Sequence, residues 1–301
     1  MKWQKLNNIF DLNNFHDGPY THASNPTAVK IDCNTYRIFF STRDENNKSD
    51  IGYFDYDLNQ MCVIGEPVIP YIRHGKAGEI DESGLGIGCI NLENQNLKFY
   101  CMGWQTPKNS HWRGDIVKVG IGENGILEKE QVLEVDDIFD KQSFSYPYLI
   151  KKATESIYYM FYGSTHYWET DNQEMLHTIN YAISKDLINW EKKGNAINYI
   201  LGKAQAFSRP TIIFKNDIYH MWFSYRGNGE KYRIGYANSV DLDHWSVHFD
   251  ERNSIIKSVE GWDSEMVCYP NVFEYKDKLY MVYNGNGYGK TGIGLAVMEE
   301  D

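Results

Sequence analysis

A unit of about sixty residues recurs five times along this chain, and no other feature narrows its fold so far. The first segment of the unit reads SNPTAV from Ser24, SYPYLI from Ser145, SRPTII from Ser208 and CYPNVF from Cys268. SGLGIGCI from Ser83 is a further copy without the proline, and Ile87 takes its place. Pro26, Ile87, Pro147, Pro210 and Pro270 fall 60 to 63 residues apart. A second segment follows a short polar turn: YRIFFSTRD from Tyr36, LKFYCMGWQ from Leu97, IYYMFYGST from Ile157, IYHMWFSYR from Ile218 and LYMVYNGNG from Leu279. The third reads DIGYFDYD from Asp50, DIVKVGIG from Asp115, TINYAISKD from Thr178, RIGYANSVD from Arg233 and GIGLAVM from Gly292. Short apolar runs at even spacing, separated by turn residues, predict strands in an all-β repeat. No stretch sustains a capped helical period. One unit cannot bury its own faces. Closing the units into a ring does so and leaves only short edges. The expectation is an all-β, five-bladed β-propeller in a single domain, with blades at roughly 20–60, 80–125, 142–192, 205–248 and 263–299. The N-terminal residues are the candidates to close the ring.

Composition agrees with strands and sets limits on partners. Aromatic residues make up 15 %, including 23 Tyr, and such side chains pack well on pleated surfaces. A net charge of −11 argues against a nucleic-acid backbone or an anionic membrane as partner. The five cysteines are odd in number and lack ligand spacing. All but Cys62 sit in or beside apolar runs, so buried free thiols in a reducing compartment are expected. MKWQKLNNIFDLNNF has no apolar core of signal-peptide length, and no apolar run reaches the length of a span. A cytoplasmic protein is expected. No ligand set has metal spacing, and no phosphate loop, dinucleotide fingerprint or Ser–His–Asp elbow appears, so no metal and no cofactor are expected. NGNGYGKTGIG reads as the last hairpin turn rather than a cofactor loop.

In a propeller the innermost strands line a central channel, so equivalent repeat positions point to equivalent places. Five residues before the proline position stand Glu82 and Glu265, where the other units have Thr21, Gln142 and Gln205. Asp81 adjoins Glu82. Glycosidic cleavage needs paired carboxylates, one to protonate the leaving oxygen and one to activate water or attack the anomeric carbon. Glu82 and Glu265 are the candidate pair, with Asp81 and Asp17 in reserve; the alternative is that the two glutamates are exposed loop acids. Before the proline stand Asn25, Tyr146, Arg209 and Tyr269, and His22 lies four before Pro26. The second segments end at Arg43, Gln105, Thr165, Arg226 and Asn286, beside Asp44, Trp104 and His166. Hydrogen-bonding groups interleaved with aromatics suit a polyhydroxylated ligand. Three arginines, Arg43, Arg209 and Arg226, suit an acidic or phosphorylated one, unless they neutralise the nearby acids.

These segments resemble the five-bladed glycosidase superfamily, which includes the arabinan- and xylan-cleaving hydrolases of family 43, the invertase-like enzymes of family 32 and the mannoside phosphorylases of family 130. DESGLGIGCINLENQNLKFYCMGW, FSRPTIIFKNDIYHMWFSYRG and GWDSEMVCYPNVFEYKDKLYMVYNGNGYGKTGIG are similar to uncharacterised predicted glycosyl hydrolases of surface-polysaccharide gene clusters. The resemblance implies a glycoside hydrolase with an aspartate base or nucleophile and a glutamate acid. It matches Glu82, with Asp81, to the acid-rich second blade and Glu265 to the SEM segment. Where the resemblance implies an aspartate on the first inner strand, this chain has Asn25, and Asp17 is the substitute from the approaching loop. Two further readings stay open: an inverting phosphorylase whose arginines hold phosphate, and a non-catalytic sugar-binding propeller.

Overall fold

The computed structural model describes residues 2–15, 18–93, 95–108, 110–122, 127–136, 138–169, 174–249 and 254–299. Each repeat begins with three antiparallel strands where the sequence places them. They are β2 (Thr21–Lys30), β3 (Thr35–Arg43) and β4 (Ile51–Asp57); then β6 (Gly84–Glu93), β7 (Asn96–Gln105) and β8 (Arg113–Ile121); then β10 (Ser143–Lys151), β11 (Tyr158–Trp168) and β12 (Met175–Ser184). β14 (Ala206–Lys215), β15 (Ile218–Arg226) and β16 (Arg233–Ser239) follow, and β18 (Cys268–Tyr275), β19 (Lys278–Asn284) and β20 (Ile293–Glu299) end the chain.

The sequence reading lacks a fourth, outer strand. β5 (Cys62–Ile72), β9 (Leu127–Leu133), β13 (Glu191–Asn195) and β17 (Ser246–His248) pair with the third strands of the first four repeats. These strands are largely exposed, and LEKEQVL and EKKGN carry no alternating apolar pattern that would reveal them. In the last repeat the outer strand is β1 (Lys2–Phe10), which pairs antiparallel with β20. The N-terminus therefore completes the C-terminal sheet, as the sequence suggested. Three sheets have four strands each; β10 to β17 form one sheet of eight because β12 and β14 meet in parallel at the single pair His177 and Ala206.

Turn chemistry explains the hairpins. Asn216–Asp217 and Lys276–Asp277 all have positive φ, the arrangement of a two-residue turn that matches strand twist. Gly287–Gly292 lies in the β19–β20 connection, where a short helical turn (Asn286–Gly289) contains Gly287 and Tyr288 at positive φ. The core fills the gaps between sheets: Phe10, Phe40 and Phe54 with Val282 and Leu295, for example, join the last sheet to the first. The first strands β2, β6, β10, β14 and β18 pack each on the next, and β18 returns to β2. Cys89, Cys101 and Cys268 are buried free thiols, but Cys33 is exposed because it sits in the β2–β3 turn rather than a strand.

Candidate functional site

The ring of first strands carries one repeated distortion. Asn25, Tyr146, Arg209 and Tyr269 all have positive φ, between 34 and 55°, directly before a proline. Each falls where the pairing register slips: Ser24/Thr27, Ser145/Tyr148, Ser208/Thr211 and Cys268/Asn271. A bulge re-aims side chains, and a non-glycine residue held in this region costs ~1–3 kcal/mol. Four such residues side by side mark the centre of the ring as the place where side-chain direction matters most.

Above the bulges lies a cavity of about 620 Å³. Of the residues the sequence singled out, His22, Asn25, Arg43, Trp104, Tyr146, Arg226 and Tyr269 line it. Sequence reasoning missed Ser24, Ser145 and Ser208, although the S-x-P triplet repeats visibly, and missed His177, Trp112, Tyr232 and Tyr288. Tyr146 and Tyr269 meet at 5.4 Å, and Tyr269 and Tyr288 at 6.1 Å, so one wall is aromatic. Asn25 is 2 % exposed, and its Oδ1 is buried with no hydrogen-bond partner.

The other candidates stand elsewhere. Glu82 lies in the loop before β6, half-buried, and accepts from the Gly78 N–H at 2.6 Å. Glu265 is exposed and borders a separate cleft of about 400 Å³ beside Arg233 and Lys257. The expected pair is thus not brought to one cavity, because the approach loops of its two repeats carry these side chains outward. Asp81 is fully buried and its Oδ2 meets Lys129 Nζ at 2.6 Å. Asp263 repeats this with Lys5 at 2.6 Å and Asp140 with Lys192 at 3.1 Å, each lysine coming from an outer strand of the same sheet. These aspartates tie sheet edges to the centre. Asp44 closes a turn, accepting from the N–H groups of Asn46 and Lys48. His166 meets Thr178 Oγ1 at 2.9 Å, and Asn286 Oδ1 accepts from the N–H groups of Glu265 and Met266; neither lines the cavity. Asp17 lies outside the described residues.

Arg209 is the plainest correction. Its side chain turns into the protein rather than to the mouth, and 1 % of it is exposed. The guanidinium donates to the carbonyls of Ile87, Tyr269, Pro270, Asn25 and Pro26 and to Thr27 Oγ1, at 2.7 to 3.2 Å. The bulges expose carbonyls toward the axis, and a five-donor fork is the group that can satisfy them.

The cavity is cationic. Arg43 stacks on Trp104 at 4.7 Å and has no carboxylate partner among the described residues. Arg226 is bonded to Glu174 at 2.6 Å. Burial opposes ionisation of Glu174, yet the Gly229 N–H and Arg226 hold its carboxyl below the usual range. No described residue lining the cavity is a carboxylate. Burial, then Arg43 and Lys290, lower His22 to about 4; burial, then His166 and Arg226, lower His177 to about 3. Both are neutral at neutral pH, whereas in the unfolded chain they titrate near ~6.5. Their stabilising effect is complete above that value and is lost as pH falls through 4 and then 3, because the unfolded chain takes protons the folded one refuses. A His177→Gln variant should therefore lose stability less steeply than wild type in denaturant titrations between these limits; equal slopes would count against this account.

Solved structures share this architecture. A glycoside hydrolase superposes with a TM-score of 0.74 at 14 % identity, covering 95 % of this chain and 89 % of its own. An exo-1,5-alpha-L-arabinanase from a bovine ruminal metagenomic library gives 0.62 at 14 %, over 95 % and 96 % of the two chains. A structure described as belonging to the GH130 family of mannoside phosphorylases, which contains glycoside hydrolases that target beta-1,2 mannosidic linkages in Candida mannan, gives 0.65 at 13 %, over 99 % and 93 %. The fold is that of the glycosidase propellers. No family model matches the sequence. The chain is 35 % identical over 304 residues to the uncharacterized protein Rv1502 of Mycobacterium tuberculosis (strain H37Rv), covering 99 % of this chain and all of that one, and it belongs to the same family. Uncharacterized protein MT1551 of strain CDC 1551 matches to the same extent.

Proposed function

We propose that this protein is a five-bladed propeller enzyme of glycosidase type that acts on an anionic saccharide held in the central cavity. The observation that carries the reading is Arg43, stacked on Trp104 and without a carboxylate partner among the described residues, in a wall of hydroxyls, neutral imidazoles and aromatic rings. An arginine fork pairs with carboxylate or phosphate, and rings and hydroxyls suit a sugar. The unsatisfied Asn25 Oδ1 adds an acceptor for a ligand hydroxyl, since a buried polar atom left unpaired costs ~1–3 kcal/mol. The structural neighbours, hydrolases and a phosphorylase family among them, support chemistry at a glycosidic bond. The free thiols, two of them exposed, support a reducing, cytoplasmic setting.

One observation favours phosphorolysis as the second reading. Hydrolysis by this class of enzyme uses two carboxylates across the bond, and Glu82 and Glu265 stand off the cavity. Phosphate as the attacking anion replaces one of them, and Arg43, which has no carboxylate partner among the described residues, supplies charge to hold it. Product analysis with acidic and neutral saccharides, with and without phosphate, separates the readings. Free sugar in both conditions means hydrolysis; sugar phosphate formed only with phosphate means phosphorolysis; binding without turnover leaves a sugar-binding propeller. Arg43→Ala should weaken binding of acidic or phosphorylated saccharides by roughly 10- to 100-fold and leave neutral ones unchanged. Wild-type protein that binds neutral saccharides as tightly in calorimetry would refute the anionic reading.

A further inference from the structure

Ser145, His177 and Thr165 form one hydrogen-bonded row in the cavity wall. Ser145 Oγ lies 2.7 Å from His177 Nε2, and Thr165 Oγ1 lies 2.7 Å from His177 Nδ1. The three residues come from β10, β12 and β11, and none is more than 1 % exposed. Ser145 and His177 line the cavity; Thr165 does not. Gly163 is cut away to admit the row, because a methyl group there would overlap both Ser145 Oγ and His177 Nε2.

The direction of the row follows from which hydroxyl borders the cavity: neither Ser145 nor Thr165 has another hydrogen-bond partner among the described residues, and Ser145 alone of the two faces space that an acceptor can fill. A neutral imidazole carries one N–H, so one ring nitrogen donates and the other accepts. The Thr165 hydroxyl has no other hydrogen-bond partner among the described residues. Its hydrogen goes to Nδ1, because a buried donor left unmade costs ~1–3 kcal/mol. Nδ1 is then the acceptor, and Nε2 holds the proton and donates it to Ser145 Oγ. The hydrogen of Ser145 is left over, and the ligand space is what adjoins it.

We infer that Ser145 offers its hydroxyl hydrogen to the ligand, locked as a donor by Thr165 and His177, and so selects a ligand with an anionic acceptor oxygen at this wall. Ser145 is a specificity-determining residue, and His177 and Thr165 are positioning residues that act through it. The same direction excludes the opposite role. An imidazole protonated at Nε2 cannot take a proton from Ser145, so the row is not a nucleophile–base pair. The nature of the ligand rests on the anionic-saccharide reading; the direction of the row rests on the protein alone.

Two measurements test this separately. Long-range proton–nitrogen correlation on ligand-free, ¹⁵N-histidine-labelled protein at neutral pH reads the tautomer directly. The expected result is His177 protonated at Nε2, and protonation at Nδ1 overturns the proposal without touching the anionic reading. This needs no variant and so does not depend on a substituted chain folding. Calorimetry with glucuronate and with inorganic phosphate then compares wild type with Ser145→Ala. A loss of about 10- to 100-fold for one probe supports the proposal and says which oxyanion the wall takes. Unchanged affinity for both overturns the selection by Ser145. Failure of wild type to bind either probe overturns that selection and the anionic reading together.

Discussion

Replacing Arg209 with methionine should cost this protein ~4–5 kcal/mol of stability, enough to lower its melting temperature by roughly 10 °C. The guanidinium spans the ring. It reaches carbonyls of the first, second and last repeats from its place on β14 in the fourth. No carboxylate among the described residues balances it, and burial lowers its pKa to about 10, so it remains charged at neutral pH. A charge is tolerable here because six oxygens surround it. Methionine fills some of the volume and leaves those acceptors unmade in a dry interior. Lysine restores the charge but has three donors for six acceptors, so Arg209→Lys should fall between. Urea unfolding of the three proteins checks the order. A methionine variant as stable as wild type would mean that water replaces the guanidinium and that the ring does not depend on it.

Removing residues 1–10 should have a larger effect still: loss of the cooperative unfolding transition. β1 is one strand with four attachments. It pairs along its length with β20, and Lys5 reaches the buried Asp263. Trp3 packs edge-on against Trp222 at 5.6 Å in the fourth repeat, and Phe10 stacks on Phe54 at 4.1 Å in the first. Phe10→Ala or Trp3→Ala alone should cost ~3–5 kcal/mol, and the stability of a whole domain is only ~5–15 kcal/mol. Without the strand, the last sheet presents an open edge at β20, which invites association with other chains. Calorimetry and size-exclusion chromatography of the shortened chain report both. A monomeric shortened protein with an unchanged transition would show that the ring closes without it.

The repeat made most of this legible in advance. The evenly spaced proline positions (Ile87 standing in for one), short apolar runs and short polar turns marked the three inner strands of each unit, because a strand covered on both faces reads as a near-continuous apolar run. The outer strands were hidden for the converse reason. LEKEQVL and EKKGN face solvent, and solvent imposes no pattern. Asn25, Tyr146 and Tyr269 were placed in the cavity from sequence because the proline fixes their repeat position.

What sequence alone determined, then, is the repeat, its strand class and the ring of positions that face the axis, all of which follow from local periodicity. The tertiary structure decided what each side chain at those positions does. Arg209 occupies the same repeat position as Tyr146, yet it turns toward carbonyls that only the closed ring assembles. Asp81 and Asp263 meet lysines 48 and 258 residues away. Ser145 gains its direction from His177 and, through it, Thr165 on neighbouring strands. Partnership of this kind depends on distances across the fold, and a buried charge or hydroxyl takes its role from the partner it finds there.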